Sequence, residues 1–108
     1  MPGFENAIQQ WRQGQRRLEQ APPERLLLLE RVVDTLVAEL RRRLGGRFSV
    51  EELAEFYEGG TSWCLQLAMD TAPAHPWAWD SGIVVDAAFG CYLREAADYA
   101  GGRQVAAD

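Results

Sequence analysis

The feature that most constrains the fold of this chain is a long amphipathic stretch, residues 24–44. Its apolar side chains recur three and four positions apart, which is the spacing of one face of an α-helix. Further apolar residues beside that face widen it into a stripe that two neighbouring elements are needed to cover. We therefore predict a helical bundle organised around one helix of about six turns. The stripe consists of Leu26, Leu28, Leu29, Val32, Val33, Leu36, Val37, Leu40 and Leu44.

Local chemistry predicts both ends of this helix. Pro22 and Pro23 interrupt any helix that arrives from upstream, and a proline in the first turn loses no hydrogen bond that the helix needs. At the other end, the arginines at 41–43 lie near the negative pole of the helix dipole, and Gly45 with Gly46 supplies the left-handed residue of a C-cap. The heptad register lasts about two and a half repeats, which is short for a free-standing coiled coil. The helix is therefore expected to belong to a globular bundle.

The rest of the chain predicts four more helices, separated by proline and glycine. Ser49 followed by Glu52 is a capping box that begins the third helix, and Gly59 with Gly60 is expected to end it. Two prolines within residues 72–79 remove amide donors, so this segment is predicted to be a loop. Besides 24–44, the predicted helices span residues 4–19, 50–58, 62–71 and 81–100.

These helices predict an all-α fold, a compact helical bundle of four to five helices in a single domain, residues 1–108. Residues 24–44 and 81–100 are expected to be its two long central helices. Small residues within 87–90 permit a close approach, so we expect these two helices to pack on each other. No segment alternates between polar and apolar residues for long enough to predict a strand.

The composition is that of an ordinary globular domain. The 108 residues are 47% hydrophobic and 25% charged. No run of about 18 apolar residues is present to span a bilayer, and the first residues lack the pattern of a signal peptide. We therefore expect no membrane association and a cytoplasmic location. Cys64 and Cys91 are then expected to be reduced thiols that behave as small hydrophobic residues.

Charge is distributed unevenly along the chain. Residues 1–50 hold nine arginines and six acidic residues, whereas residues 51–108 hold two arginines and ten acidic residues. The second half therefore offers no broad surface for nucleic acid. Residues 49–71 superficially resemble a helix-turn-helix motif, but their second helix carries no positive charge to meet phosphate. The sequence thus argues against sequence-specific DNA binding.

Residues that could carry chemistry are few. The motifs that cradle nucleotides or activate a serine nucleophile are absent from the sequence. A metal site needs three or four converging ligands, yet the chain has one histidine and two distant cysteines, so we expect no metal and no cofactor. His75 has the chemistry of a general base, but a hydrogen-bonded turn histidine is the more common role. We predict no catalytic residue, and the sequence favours a non-enzymatic protein while leaving an enzyme open.

Two surfaces remain as candidate partner-binding sites. The arginines at the end of the long helix suit phosphate or an acidic protein, although they also complement the helix dipole. Loop tryptophans are of the type enriched at interface hot spots, and we expect Trp77 to be exposed after Pro76 and Trp79 to pack inward. The candidate partner-binding residues are Trp77, Trp79, His75, Arg41, Arg42, Arg43 and Arg47.

A resemblance covers the C-terminal part of the chain. It is carried by Ala78-Trp-Asp-Ser-Gly and by the stretch from Asp86-Ala-Ala-Phe-Gly-Cys-Tyr-Leu-Arg-Glu to Gly102. These residues resemble the C-terminal part of small uncharacterised all-helical proteins of actinobacteria. The resemblance implies a helical fold and brings no activity, ligand or residue role with it.

These observations favour a non-enzymatic protein-interaction module that docks on a larger protein or ribonucleoprotein machine. We expect a homodimer through residues 24–44, because the wide stripe has at most four other helices to cover it. The alternative is a small helical enzyme or ligand-binding protein that uses a pocket near the loop 75–80. A third hypothesis is a nucleic-acid binder that works through a small basic patch on the first helix. This patch consists of Arg12, Arg16 and Arg17.

Overall fold

The computed structural model describes residues 2–45 and 49–99, and the side chains within these ranges except those of residues 2–5, 50, 60, 61, 78, 79 and 96–99. Four α-helices make up this part of the chain, and none of its residues lies in a β-strand. They are α1 (Pro2–Glu19), α2 (Pro23–Leu44), α3 (Val50–Thr71) and α4 (Trp77–Tyr99). The predicted all-α bundle of four to five helices is confirmed. None of the four helices has both the length and the hydropathy needed to cross a membrane, as far as their described residues extend.

The helix α2 has nearly the boundaries that the sequence predicts. It begins at Pro23 and is followed by Gly45, whose φ of 68° and ψ of −151° favour glycine but are not the left-handed helical conformation that the sequence predicts for the C-cap. The Gly45 amide donates a hydrogen bond to the Arg41 carbonyl at 2.8 Å. The apolar stripe faces α4 and α3, with a smaller contact to α1. Its buried members are Leu29, Val32, Val33, Leu36, Val37 and Leu40.

The helices of a single chain bury most of the stripe of α2, although the sequence favours a homodimer through it. Leu36 and Leu40 are fully buried within the bundle. Leu27 is 74% exposed, but it lies outside the stripe. The surplus apolar surface on which the homodimer prediction depends is therefore small among the described residues of α2. The dimer through residues 24–44 stays a prediction, and the small exposed apolar surface of α2 does not support it.

The helix α3 is continuous, so the prediction of two helices separated at Gly59 and Gly60 is wrong. The capping box at its start is confirmed: the Glu52 amide donates to Ser49 Oγ at 3.1 Å, and the Ser49 amide donates to the Glu52 carboxylate at 2.8 Å. Leu53 and Cys64 are eleven positions apart, which is close to three full turns, and both are buried on one face. Burying them on one straight helix outweighs the cost of about 1 kcal/mol for each interior glycine.

The helix α4 begins at Trp77, four residues before the predicted start at Ser81. The loop is therefore residues 72–76 rather than 72–79. The side chain of Trp77 is buried, and its indole Nε1 donates to the Ala72 carbonyl at 2.9 Å. Asp80 lies in the first turn of the helix rather than at its cap, where its charge still favours the positive end of the dipole. Packing of Trp77 thus determines where the helix begins.

The closest helix contact is between α4 and α1, whereas the sequence predicted that α4 pairs with α2. The helix α4 packs most extensively on α1 and also contacts α2. A Cβ atom added at Gly14 would lie 2.9 Å from the amide nitrogen of Ala87, so the two backbones are nearly in contact. Beside this crossing, the fully buried Trp11 stacks on Phe89 with ring centroids 5.5 Å apart. The small residues of α4 face Gly14 of α1. The helix α2 contains no glycine that could take the same role.

Candidate functional site

The predicted arginine surface at the end of α2 is engaged in contacts within the chain. Arg41 donates two hydrogen bonds to the Glu95 carboxylate of α4, at 2.7 and 2.8 Å. Arg42 and Arg43 both pair with Glu39, and these contacts lower the pKa of that carboxyl group to about 2. These three arginines therefore already have carboxylate partners.

Two of these arginines also fix neighbouring helices. The guanidinium of Arg43 lies over the Trp63 ring of α3, 4.1 Å from its centroid, which is a cation–π contact. The hydrogen bonds from Arg41 lower the pKa of Glu95. Arg41 and Arg43 thus hold α2 against α4 and α3, whereas Arg42 pairs with Glu39 of its own helix. Arg47 lies outside the described residues.

The polar groups around the loop 72–76 form a buried cluster. His75 Nε2 donates to Asp80 Oδ2 at 2.7 Å, and Arg25 Nε lies 3.2 Å from the same oxygen. The side chains of His75 and Asp80 are only 6% and 7% exposed. Arg25 of α2 and His75 of the loop contact the same carboxylate of α4, so this cluster joins α2 to α4.

The predictions for the two loop tryptophans have different outcomes. The prediction that Trp77 is exposed is wrong, because it is 7% exposed and its ring packs edge-on against His75 with centroids 4.4 Å apart. The side chain of Trp79 lies outside the described residues, so its predicted inward packing stays a prediction. Trp77 and His75, the described residues of this candidate partner surface, therefore close one end of the bundle.

A half-buried carboxylate, that of Asp86, lies beside the crossing of α1 and α4. Tyr57 donates to Asp86 Oδ1 at 2.6 Å. Burial raises the pKa of Asp86, and the hydrogen bond from Tyr57 and the charge of Arg17 offset part of this effect. Burial and the neighbouring carboxylate also raise the pKa of Tyr57. Asp86 and Arg17 line a small cavity of about 180 Å³.

The thiols have the environment of structural residues. Cys64 and Cys91 are both free. Burial raises the pKa of Cys64 to about 12, so its reactive thiolate form is scarce at neutral pH. The Cys91 sulfur accepts a hydrogen bond from Gln15 Nε2 at 3.4 Å. Within residues 2–45 and 49–99, no three histidine, cysteine or acidic side chains are grouped in a way that suits a metal ion.

A further candidate binding site is a cavity of about 270 Å³ between α1 and α4, which we call the α1–α4 cavity. Its walls combine apolar side chains with two arginines, one from each helix. Neither Arg12 nor Arg94 forms an ion pair with a carboxylate that the structure describes. The lining residues are Ile8, Trp11, Arg12, Gln15, Gly90, Leu93 and Arg94.

Trp11 lies in the wall of this cavity and is fully buried. Its indole Nε1 has no hydrogen-bond partner among the described residues, and almost none of the surface of this atom is accessible. A buried donor without an acceptor costs about 1–3 kcal/mol. Of the described side chains, Trp63 has the same deficiency, but it does not line the α1–α4 cavity. The polar groups that the cavity offers to a ligand are therefore those of Arg12, Arg94 and Gln15.

Sequence reasoning found only part of this site. The basic patch on α1 includes Arg12, but nothing in the sequence places Arg94 beside it, because the two residues are brought together by the crossing at Gly14. The spacing of Ile8, Trp11 and Gln15 is typical of an inward helix face and predicts burial rather than a cavity. The sequence signal that could have predicted this close crossing is a glycine in the interior of each of the two helices.

The described residues form an all-α bundle with an arginine-flanked cavity where α1 crosses α4. The sequence matches no family model, and it has no match among curated proteins or solved structures. The resemblance of residues 78–102 to helical proteins of actinobacteria stays a prediction.

Proposed function

We propose that this chain is a non-enzymatic protein-interaction module that docks on an acidic segment of a larger protein. The docking surface consists of Arg12, Arg16 and Arg94, and we call it the free-arginine face. One observation carries the proposal: these arginines pair with no carboxylate that the structure describes, although the whole chain has a net charge of −5.

The contrast with the other arginines supports this surface. Arg25, Arg41, Arg42 and Arg43 each lie within 3.2 Å of a carboxylate of the same chain. An arginine that is already bound in this way must break its own ion pair before it accepts a partner carboxylate. The free-arginine face has no such cost, so it offers its charge directly to an acidic partner.

The expected affinity is moderate. An exposed ion pair contributes about 0.2–1 kcal/mol, so three pairs together provide on the order of 1–3 kcal/mol. Apolar contacts in the neighbouring α1–α4 cavity are needed to provide the rest. Because exposed charges are screened by salt, the association should weaken as ionic strength rises.

The alternative, a small enzyme or ligand binder at residues 75–80, has less support. The polar atoms of His75 and Asp80 bind each other and Arg25, and both side chains are almost fully buried. A substrate would have to disrupt this cluster to reach them. We retain a cytoplasmic location and the homodimer as parts of the proposal that await their own tests.

The experiment is quantitative affinity purification from the native host with isotope-labelled protein. The wild type is compared with the triple variant Arg12→Gln/Arg16→Gln/Arg94→Gln and with Arg31→Gln, an exposed arginine of α2 outside the face. We expect one stoichiometric protein partner with the wild type and with Arg31→Gln, and its loss with the triple variant. Circular dichroism checks that all three proteins are folded.

Direct binding then tests the chemistry. An acidic segment of the recovered partner should bind purified wild-type protein, and binding should weaken when salt rises from about 50 to about 200 mM. Equal recovery of the partner by the triple variant overturns the proposal. Recovery of RNA or DNA as the only bound species also overturns it and favours the nucleic-acid hypothesis.

A further inference from the structure

The α1–α4 cavity has the dimensions and chemistry of a site for one small group. Its volume of about 270 Å³ exceeds the roughly 150 Å³ of an apolar cavity that holds benzene. Ile8, Trp11 and Leu93 provide apolar wall. Arg12 and Arg94 bring positive charge from opposite helices, and none of the described residues that line the cavity is acidic. An anion that carries an apolar group of about the size of one side chain therefore fits it.

We propose that this cavity binds the C-terminal carboxylate of a partner protein whose last residue is large and apolar. Arg12 and Arg94 hold the carboxylate, and the last side chain enters between Ile8 and Leu93. This inference rests on the proposed function, because it names the part of the partner that the free-arginine face recognises.

The C-terminal residue of a peptide fits the lining of the α1–α4 cavity better than a free organic acid does. The amide group of Gln15 already donates to the Cys91 sulfur through Nε2, which leaves its Oε1 as an acceptor beside Gly90. The last residue of a peptide has an amide hydrogen close to its carboxylate, and this hydrogen can reach such an acceptor. Arg12 and Arg94 are exposed, so the preceding peptide residues have room to leave towards solvent.

The first test uses small peptides and nuclear magnetic resonance. The probe is N-acetyl-Gly-Gly-Phe with a free carboxylate, compared with its C-terminal amide, with N-acetyl-Gly-Gly-Gly and with phenylacetate. We expect the free-carboxylate peptide to bind with a dissociation constant on the order of 1 mM or below, and to shift the backbone amide resonances of Arg12 and Gly90 but not that of Gly59. The amide and the Gly-ending peptide should each bind at least about tenfold more weakly.

Variants locate the site. Arg12→Gln and Arg94→Gln should each weaken binding about tenfold, while Arg31→Gln, at an exposed position of α2, leaves it unchanged. Gly90→Ala should abolish binding, because its new methyl group displaces the Gln15 side chain within the cavity. Gly59→Ala, where the added methyl group has no neighbour within 4 Å, is the matched control.

The outcomes separate this inference from the proposed function. Equal binding of the peptide acid and its amide overturns the inference, as does binding of phenylacetate that is as tight as the peptide, since that result favours a free acid. Full retention of the purified partner by Gly90→Ala, together with its loss by the triple arginine variant, overturns the inference but leaves the proposed function standing. Peptide binding in the cavity, with no partner protein whose recovery depends on the arginines, overturns the proposed function but leaves the peptide-binding site standing.

Discussion

The α-carbon of Gly14 in α1 lies so close to α4 that a Cβ atom there would approach the amide nitrogen of Ala87 to 2.9 Å. Real Cβ atoms essentially never come this close to backbone atoms, so the residue at this position must be glycine for the crossing to exist. The crossing in turn brings Arg12 and Arg94 to one cavity. The candidate site therefore depends on one glycine that does not contact the ligand.

The first prediction follows from this contact. Gly14→Ala should destabilise the protein by about 1–3 kcal/mol, because overpacking against backbone outweighs the better helix propensity of alanine. Gly90→Ala should cost much less, because its new methyl group meets the flexible end of the Gln15 side chain. Urea denaturation measures both values. Equal stability of the two variants would show that the helices do not cross at Gly14.

The second prediction concerns the uninterrupted helix α3. Gly59 is helical and open to solvent, and an added Cβ atom meets nothing within 4 Å. Gly59→Ala should therefore raise the free energy of unfolding by about 0.5–1 kcal/mol, since alanine loses less backbone entropy than glycine. Thermal denaturation measures the gain. A loss of stability instead would mean that the chain turns at Gly59, as the sequence first indicated.

The third prediction concerns Trp77, which closes the end of the bundle. Trp77→Ala should lower the free energy of unfolding by about 3–5 kcal/mol, because it removes a large buried ring and the hydrogen bond to the Ala72 carbonyl. Leu27→Ala, at an exposed position of α2, is the control and should change stability by about 0.5 kcal/mol or less. A small effect of Trp77→Ala, with strong fluorescence quenching of Trp77 by iodide, would contradict its buried position.

The fourth prediction is a pH dependence at Asp86. Its pKa in the folded protein is raised above the ordinary value, chiefly by burial, so the folded state takes up a proton at a pH where the unfolded chain does not. This group therefore opposes folding when it is ionised near neutral pH, and the penalty disappears as the pH falls through its folded pKa. Asp86→Asn keeps an acceptor for Tyr57 and removes the charge.

We expect Asp86→Asn to be more stable than the wild type at pH 7, and the difference to shrink as the pH is lowered. Urea denaturation between pH 7 and acid pH measures it. Asp34→Asn, at an exposed position of α2, controls for the change in net charge. A variant that is less stable at every pH would show that the interaction of the Asp86 charge with Arg17 and Tyr57 outweighs its desolvation.

The sequence by itself determined the features that depend on neighbouring residues. The 3.6-residue period of Leu29, Leu36 and Leu40 identified α2 and its buried face, because one helix repeats its own geometry along the chain. The capping box of Ser49 and the glycine after α2 were also found, since each needs only a few consecutive residues.

Only the tertiary structure decided which helices meet and what lies at their contacts. Gly59 has the propensity to end a helix, but burial of Leu53 and Cys64 on one face keeps α3 continuous. Arg12 and Arg94 are 82 positions apart, and their meeting depends on the crossing of α1 and α4 at Gly14. Local patterns report how one segment folds, whereas the partner of each face depends on shape complementarity between segments far apart in the sequence.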